Sequence, residues 1–318
     1  LFGKEEVDMK KGAIPARGVL LRLFLGLGLF APPGVVAAPI TFNTALPVAS
    51  QEGILRGQYV LVRATGDPTP LGRSITVQAT PVALAYGVTP RLALFGIVPY
   101  IDKSLELNTP AGRIERSASG IGDLLFLGRY TAYALDRLGS TIRLAPFVGL
   151  KLPTGKDDVS DGLGRLPRPL QPGSGSWDGF GGVVFTWQTL GWEFDADAGY
   201  RKNTASDGFR FGDQAFTDAS FQYRVWPRLL EAGVPAYVFA VAESNLIISG
   251  RDRVGGVPDL DSGGTRWNVG LGLQYVTERF VIEGIYQVPA VQRLNGNAVE
   301  ADNLLRVGIR WNFSFPSL

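Results

Sequence analysis

An all-β fold, a single antiparallel transmembrane β-barrel of about twelve strands, is what this sequence predicts, and three observations predict it. Apolar and polar residues alternate with a period of two in one segment after another. The connections between those segments alternate between short and long, as they do where turns face one side of a membrane and loops the other. Hydrophobic residues make up 45% of the 318 and charged residues only 19%, yet past the first few dozen positions no apolar run approaches the ~18 residues of a membrane helix.

The chain opens on a basic stretch, Met9-Lys10-Lys11 with Arg17 and Arg22, followed by LFLGLGLFAPPGVV and the small pair Ala37-Ala38. This order reads as a secretory signal peptide over 1–38, with cleavage after Ala38 and an over-extended start before Met9, the single methionine. Residues 39–56 are expected to form an N-terminal periplasmic arm, and 57–315 the barrel. Strands are expected near 57–65, 74–86, 91–102, 120–134, 141–152, 176–188, 192–202, 214–225, 236–246, 265–276, 280–289 and 303–315. Most exceed the length usual in soluble sheets and suit the roughly nine to eleven residues that cross a bilayer obliquely.

The alternation is clearest in four places. TIRLAPFVGLKL sets Ile142, Leu144, Val148, Leu150 and Leu152 opposite Arg143 and Lys151. WEFDADAGYR sets Trp192, Phe194, Ala196, Ala198 and Tyr200 against Glu193, Asp195, Asp197 and Arg201. TRWNVGLGLQY and LRVGIRWNFSF repeat the split, the second with Ile309 and Trp311 on its apolar face and Arg306 and Arg310 behind. A soluble sandwich would turn those apolar faces inward; a membrane barrel turns them to lipid. An open sheet would leave unpaired amides in hydrocarbon, so spanning strands must close on themselves. Tyr and Trp recur near the strand ends, as an interfacial girdle requires.

Short links are expected at 87–90, 136–139, 189–191, 226–235 and 277–279, and longer ones at 103–119, 153–175, 203–213, 247–264 and 290–302. An even strand number returns both termini to the periplasmic side of a Gram-negative outer membrane. Lipid and lipopolysaccharide would then be the barrel's surroundings, and the barrel-insertion machinery a partner. Lys plus Arg number 31 against 29 acidic residues, with no basic block beyond the leader, which gives no nucleic-acid footprint. There is no cysteine and no histidine, which removes thiol chemistry, cysteine or histidine metal sites and a Ser-His-Asp triad. No catalytic residue, cofactor or metal site is assigned.

The polar faces supply a candidate lumen lining: Asp123, Arg129, Arg143, Lys151, Asp178, Glu193, Asp195, Asp197, Arg201, Asp218, Arg224, Glu243, Arg266, Glu283, Arg306 and Arg310. Acids gather on the sixth to eighth strands and Arg306 and Arg310 on the last, so an acidic side is expected to face a basic one. The same charges could instead tie one another across the lumen and block flow. Asp195 and Asp197 share a strand face about 6.6 Å apart, loosely the spacing of a glycosidase pair, although neighbouring arginines can neutralise them. LPTG at 152–155 with Lys156, Asp157, Asp158 and Asp161 lacks the phosphate-loop pattern; its acids could hold Ca²⁺ only weakly. Either this loop or the arm is long enough to fold inward as a constriction.

FNTALPV (42–48), YGVTPRLALFGIVPYIDK (86–103), GIGDLLFLGRY (120–130), GLKLPTGKDD (149–158) and GSGSWDGFGG (173–182) carry a resemblance to the outer-membrane proteins of the MetA-pathway of phenol degradation. More loosely, the chain resembles hydrophobic-compound transporters related to the long-chain fatty-acid channel. The resemblance implies a barrel of this size that takes up small hydrophobic or aromatic solutes. It departs from the fatty-acid channel in strand number and in lacking a long N-terminal hatch. A structural or partner-binding barrel with a closed lumen is the alternative function, and a barrel hydrolase a third. The last strand also resembles a C-terminal insertion signal, but Pro316-Ser317-Leu318 follow Phe315.

Overall fold

The fold was obtained as a computed structural model, which describes residues 37–110, 112–229 and 233–314. The expected leader up to 36 and the residues from Phe315 onward lie outside the described residues. Twelve antiparallel strands form one ring. We number them β1 (Glu52–Ala64), β2 (Ser74–Gly87), β3 (Leu92–Thr109), β4 (in three segments, Gly112–Ile121, Leu124–Tyr130 and Tyr133–Arg137), β5 (Ser140–Leu152) and β6 (Asp178–Thr189). The second half comprises β7 (Trp192–Lys202), β8 (Gln214–Trp226), β9 (Ala236–Ser249), β10 (Gly264–Thr277), β11 (Phe280–Leu294) and β12 (Asn303–Ser314). Each strand pairs with its neighbours in sequence, and β1 pairs with β12 from Glu52↔Ser314 to Arg63↔Asn303, which closes the sheet.

The ring is inside-out relative to a soluble protein. On β12, Ile309 and Trp311 are 49% and 43% exposed, whereas Arg310 between them is buried. On β5 Leu144, Val148 and Leu150 point outward while Ala145 and Lys151 are buried. The exposed apolar faces form the band that hydrocarbon would cover. Near the short turns the outward aromatics cluster, with Trp187 and Trp192 in edge-to-face contact at 4.8 Å. Among the described residues no helix is long and apolar enough to cross a membrane, so spanning falls to the strands.

Three expectations need correction. The connection expected over 103–119 is a hairpin: β3 and β4 stay paired from Tyr100↔Ile121 to Thr109↔Gly112. Its charges read as loop because a strand that rises clear of hydrocarbon needs no apolar face; Arg113 and Glu106 pair there at 2.5 Å. β1 begins at Glu52, earlier than expected, so the arm ends at Gln51. The loops expected at 203–213 and 247–264 contribute four two-residue strands to one small sheet, Ala205–Ser206, Phe209–Arg210, Arg253–Val254 and Val257–Pro258.

Candidate functional site

The lumen is crossed by the chain's own N-terminal segment. Four small apolar seats mark its course from Ala37 to Val48, the first made by Ala37 of the expected leader and the other three by the arm itself. Ala37 packs on Phe239, Val276 and Val281, and Ile40 on Val241 and Ile285. Ala45 packs on Ala145 and Val184, and Val48 on Ala85 and Ala93. The chain then turns into β1, with Gln51 N donating to Gly87 O at 3.0 Å.

Between those seats the wall recognises the arm's backbone. Arg310 donates to Ala38 O and Pro39 O at 3.0 Å each, and Arg56 to Ile40 O at 2.7 Å. Arg306 reaches Thr41 O at 3.4 Å, and Arg129 bonds Thr44 O and Leu46 O. On the other side, the Glu243 carboxylate accepts from the amides of Ile40 and Thr41 and from the Thr41 hydroxyl. Thr186 takes the amide of Ala45 at 2.7 Å. Arginines thus bind carbonyls of the arm, while Glu243 and the Thr186 hydroxyl take its amides. At these positions the buried backbone has its polar groups paired, as burial requires.

The acids of β7 to β9 line one side. Asp195, fully buried, accepts from Thr186 and from Gln222 Nε2; Glu193 accepts from Gln188 Nε2 at 2.6 Å. Asp197 stands directly opposite Asp218 across the β7–β8 pair, and Asn245 donates to Asp218 at 2.9 Å. Asp195 and Asp197 do share a face, but Asp195 is closed in by the wall and the arm. Facing them, Glu283 lies between Arg56 and Arg310 at 2.6 and 2.5 Å.

The remaining candidates sit at the ends. At the short-turn end Arg143 pairs with Asp136 at 2.6 Å and Arg224 donates to Leu190 O. At the opposite mouth Lys151 is clamped between Asp123 and Asp178 at 2.8 and 2.6 Å. Asp123 sits at the break between two segments of β4, where it also accepts from the amides of Gly155 and Ser174. This cluster fastens the loop 153–177 to the rim. Arg201 and Arg266 are inward and half-buried on β7 and β10.

That loop folds over the mouth's edge. Gln171 bonds both Val159 N and Val159 O, and Leu166 and Leu170 pack on Ala118 of the protruding hairpin. Asp157 is taken by Arg168 and Asp161 by Arg116; the Arg116 guanidinium holds the Asp161 carboxyl below its usual range. Among the described residues no group of three or more acidic side chains is arranged to hold a metal ion.

Sequence reasoning missed Arg56, Gln58, Gln222, Gln274 and Asn245. Arg56 could have been found, since Leu55 extends the outward face of Gly57 and Tyr59 two residues before the expected start of β1. Gln222 and Gln274 share the polar side of their alternating strands, between Phe221 and Tyr223 and between Leu273 and Tyr275, but a lining chosen by charge passes over neutral amides. Also missed were three phenyl rings that face inward, Phe147 on β5, Phe180 on β6 and Phe216 on β8. Each stands opposite a glycine on the neighbouring strand, in the pairs Phe147↔Gly182, Phe180↔Gly149 and Gly199↔Phe216. A Cβ on Gly149 or Gly199 would collide with the facing ring, so the bare backbone is what lets the rings lie against the wall.

A closed twelve-strand ring with apolar faces outside and a partly filled interior defines an outer-membrane β-barrel. The chain matches the family model described as "Putative MetA-pathway of phenol degradation" over residues 71–288. It belongs to that family. Among solved structures it is similar to an outer membrane channel from Pseudomonas putida F1, with a TM-score of 0.60 and 17% identity over 87% of this chain and 100% of that one. It also aligns with the translocator domain of the autotransporter NalP from Neisseria meningitidis at a TM-score of 0.43 and 13% identity, over 84% and 91% of the two chains. A Pseudomonas aeruginosa FadL homologue aligns at 0.38 and 9%, over 89% and 96%. No curated protein matches the chain. The protein is therefore an outer-membrane β-barrel of the Gram-negative type.

Proposed function

We propose that the protein is a passive channel for small hydrophobic or aromatic compounds, with the N-terminal arm as its constriction, and that it is not an enzyme. The observation that carries this reading is the trio of inward phenylalanines, Phe147, Phe180 and Phe216, which stand together on β5, β6 and β8 beside the arm. A barrel of about eight strands is filled by its side chains and one of sixteen to eighteen holds a wide aqueous pore; twelve strands leave an intermediate bore that an arm can narrow. A solute enters from the loop side, rests on the phenyl patch, and passes the arm where its backbone bonds to the wall yield. No energy source enters this scheme.

The test is purified protein in planar lipid bilayers. Reproducible unitary conductance, altered when phenol is added on the loop side, is the expected result. Silence at all voltages, with and without phenol, overturns the reading in favour of a closed barrel whose loops meet partners.

A further inference from the structure

Among the described residues, Arg201 and Arg266 differ from the other interior cations in having no oxygen partner, and of the two only Arg201 lies over an aromatic ring. Arg56 and Arg310 share Glu283, Lys151 has Asp123 and Asp178, and Arg129 and Arg306 hold carbonyls of the arm. The Nε of Arg201 is buried and has no acceptor. Its guanidinium instead lies over the Phe180 ring, 5.5 Å from the centroid. Among the described residues it forms no salt bridge. Asp178, on the adjoining strand, is already engaged by Lys151, by the Ser176 hydroxyl and by the Thr204 amide. A cation half-sunk in a wall without an acceptor is costly, and a ligand that supplies one recovers that cost.

The register shows what surrounds it. Arg201 is paired with Phe180 on one side and Gln214 on the other. Two residues along, Gly199 is paired with Gly182 and Phe216, and Gly182 in turn with Phe147. Neighbouring strands lie about 4.8 Å apart and same-face residues about 6.6 Å apart, so the guanidinium and the three rings occupy one patch of inner wall. Phe147 also packs on the Ala45 seat, which sets the patch against the arm.

We infer that Arg201, with Phe147, Phe180 and Phe216, forms a binding site for an aromatic carboxylate. The planar guanidinium fork matches a carboxylate with two parallel hydrogen bonds, and the rings accept an aromatic body by offset or edge contact. The site rests on the proposed reading of the protein as a channel for aromatic compounds, and narrows the preferred solute from neutral rings to ring acids. It lies to the loop side of the arm, so loading it does not require the arm to move.

Titration calorimetry on the full chain in detergent tests this with benzoate and benzyl alcohol, two probes that share a ring and differ in charge. Benzoate should bind saturably with about one site per barrel, at least about tenfold more tightly than the alcohol. Arg201→Gln should reduce benzoate to the level of the alcohol, and Arg201→Lys should retain part of the difference. Heat-modifiable migration on gels verifies that each variant is folded. Equal binding of the two probes by the unaltered protein, a comparison that needs no variant, overturns the inference. So does undiminished benzoate binding by folded Arg201→Gln. Bilayer responses to phenol without selective benzoate binding would remove the carboxylate site alone, and benzoate binding without any conductance would remove the transport reading while the site stands.

Discussion

The mouth of the barrel and its middle are both held by interior cations, but the cations hold different things. At the mouth Lys151 is bonded to two carboxylates, and the loop they anchor is fixed by full charges. In the middle, Arg129 and Arg306 hold neutral carbonyl oxygens of the arm. Breaking a buried charge pair leaves an uncompensated ion, whereas exchanging one neutral acceptor for another costs little. The difference teaches that the rim is tied charge to charge, whereas the arm brings only neutral groups to the charged side chains that hold it.

Removing residues 39–48 should produce the largest effect. Unitary conductance in planar bilayers is expected to rise several-fold while the strands, which begin at Glu52, still close. Unchanged conductance would mean that the arm is not the constriction and would erase the contrast. Next in size, Lys151→Met should leave Asp123 and Asp178 facing each other without a cation, at a cost of about 3–5 kcal/mol, read as a lower urea midpoint in lipid vesicles. A loss under about 1 kcal/mol would place the rim on the same footing as the arm.

Arg306→Gln should be milder, about 1 kcal/mol, because its partners Thr41 O and Gln58 Oε1 are neutral. Faster amide exchange at Ile40 and Thr41, with no change at Ser174, is the signature to look for. Glu243→Gln sharpens the same comparison from the acidic side, and should speed exchange at the same two amides.

The smallest effect concerns pH at the loop between β1 and β2. The hydrogen bond from Arg73 holds the Asp67 carboxyl well below its usual range. A lowered folded-state pKa contributes order that is complete above the unfolded value of about 4 and lost only as pH falls through the lower folded one. Pepsin should therefore spare residues 67–73 at about pH 4 and begin to cut there only in stronger acid. Cutting that starts above about pH 4 would show that the Asp67–Arg73 contact does not order the loop.

The strand pattern was readable because a period of two survives wherever one side meets lipid. Ile309 and Trp311 against Arg310, or Trp192 and Phe194 against Glu193 and Asp195, announce both strand and facing. The pattern stops informing where the strands leave hydrocarbon, which is why the hairpin around Glu106 and Arg113 reads as loop. The interior was legible only as charge. Nothing local in Ala37 to Val48 says that its amides and carbonyls are spoken for by residues from 16 to 272 positions away. Phe180 and Gly149 likewise look like ordinary strand residues until the register sets them opposite each other.

The pairing of β1 with β12 has a consequence for how the protein is made. The earliest strand of the sheet keeps one edge bare until the last one arrives, so a chain that stops short of Asn303 presents a row of unmatched amides to the bilayer. Arrival of β12 and closure of the ring are thereby one event, and the twelve residues of Asn303–Ser314 serve as the clasp.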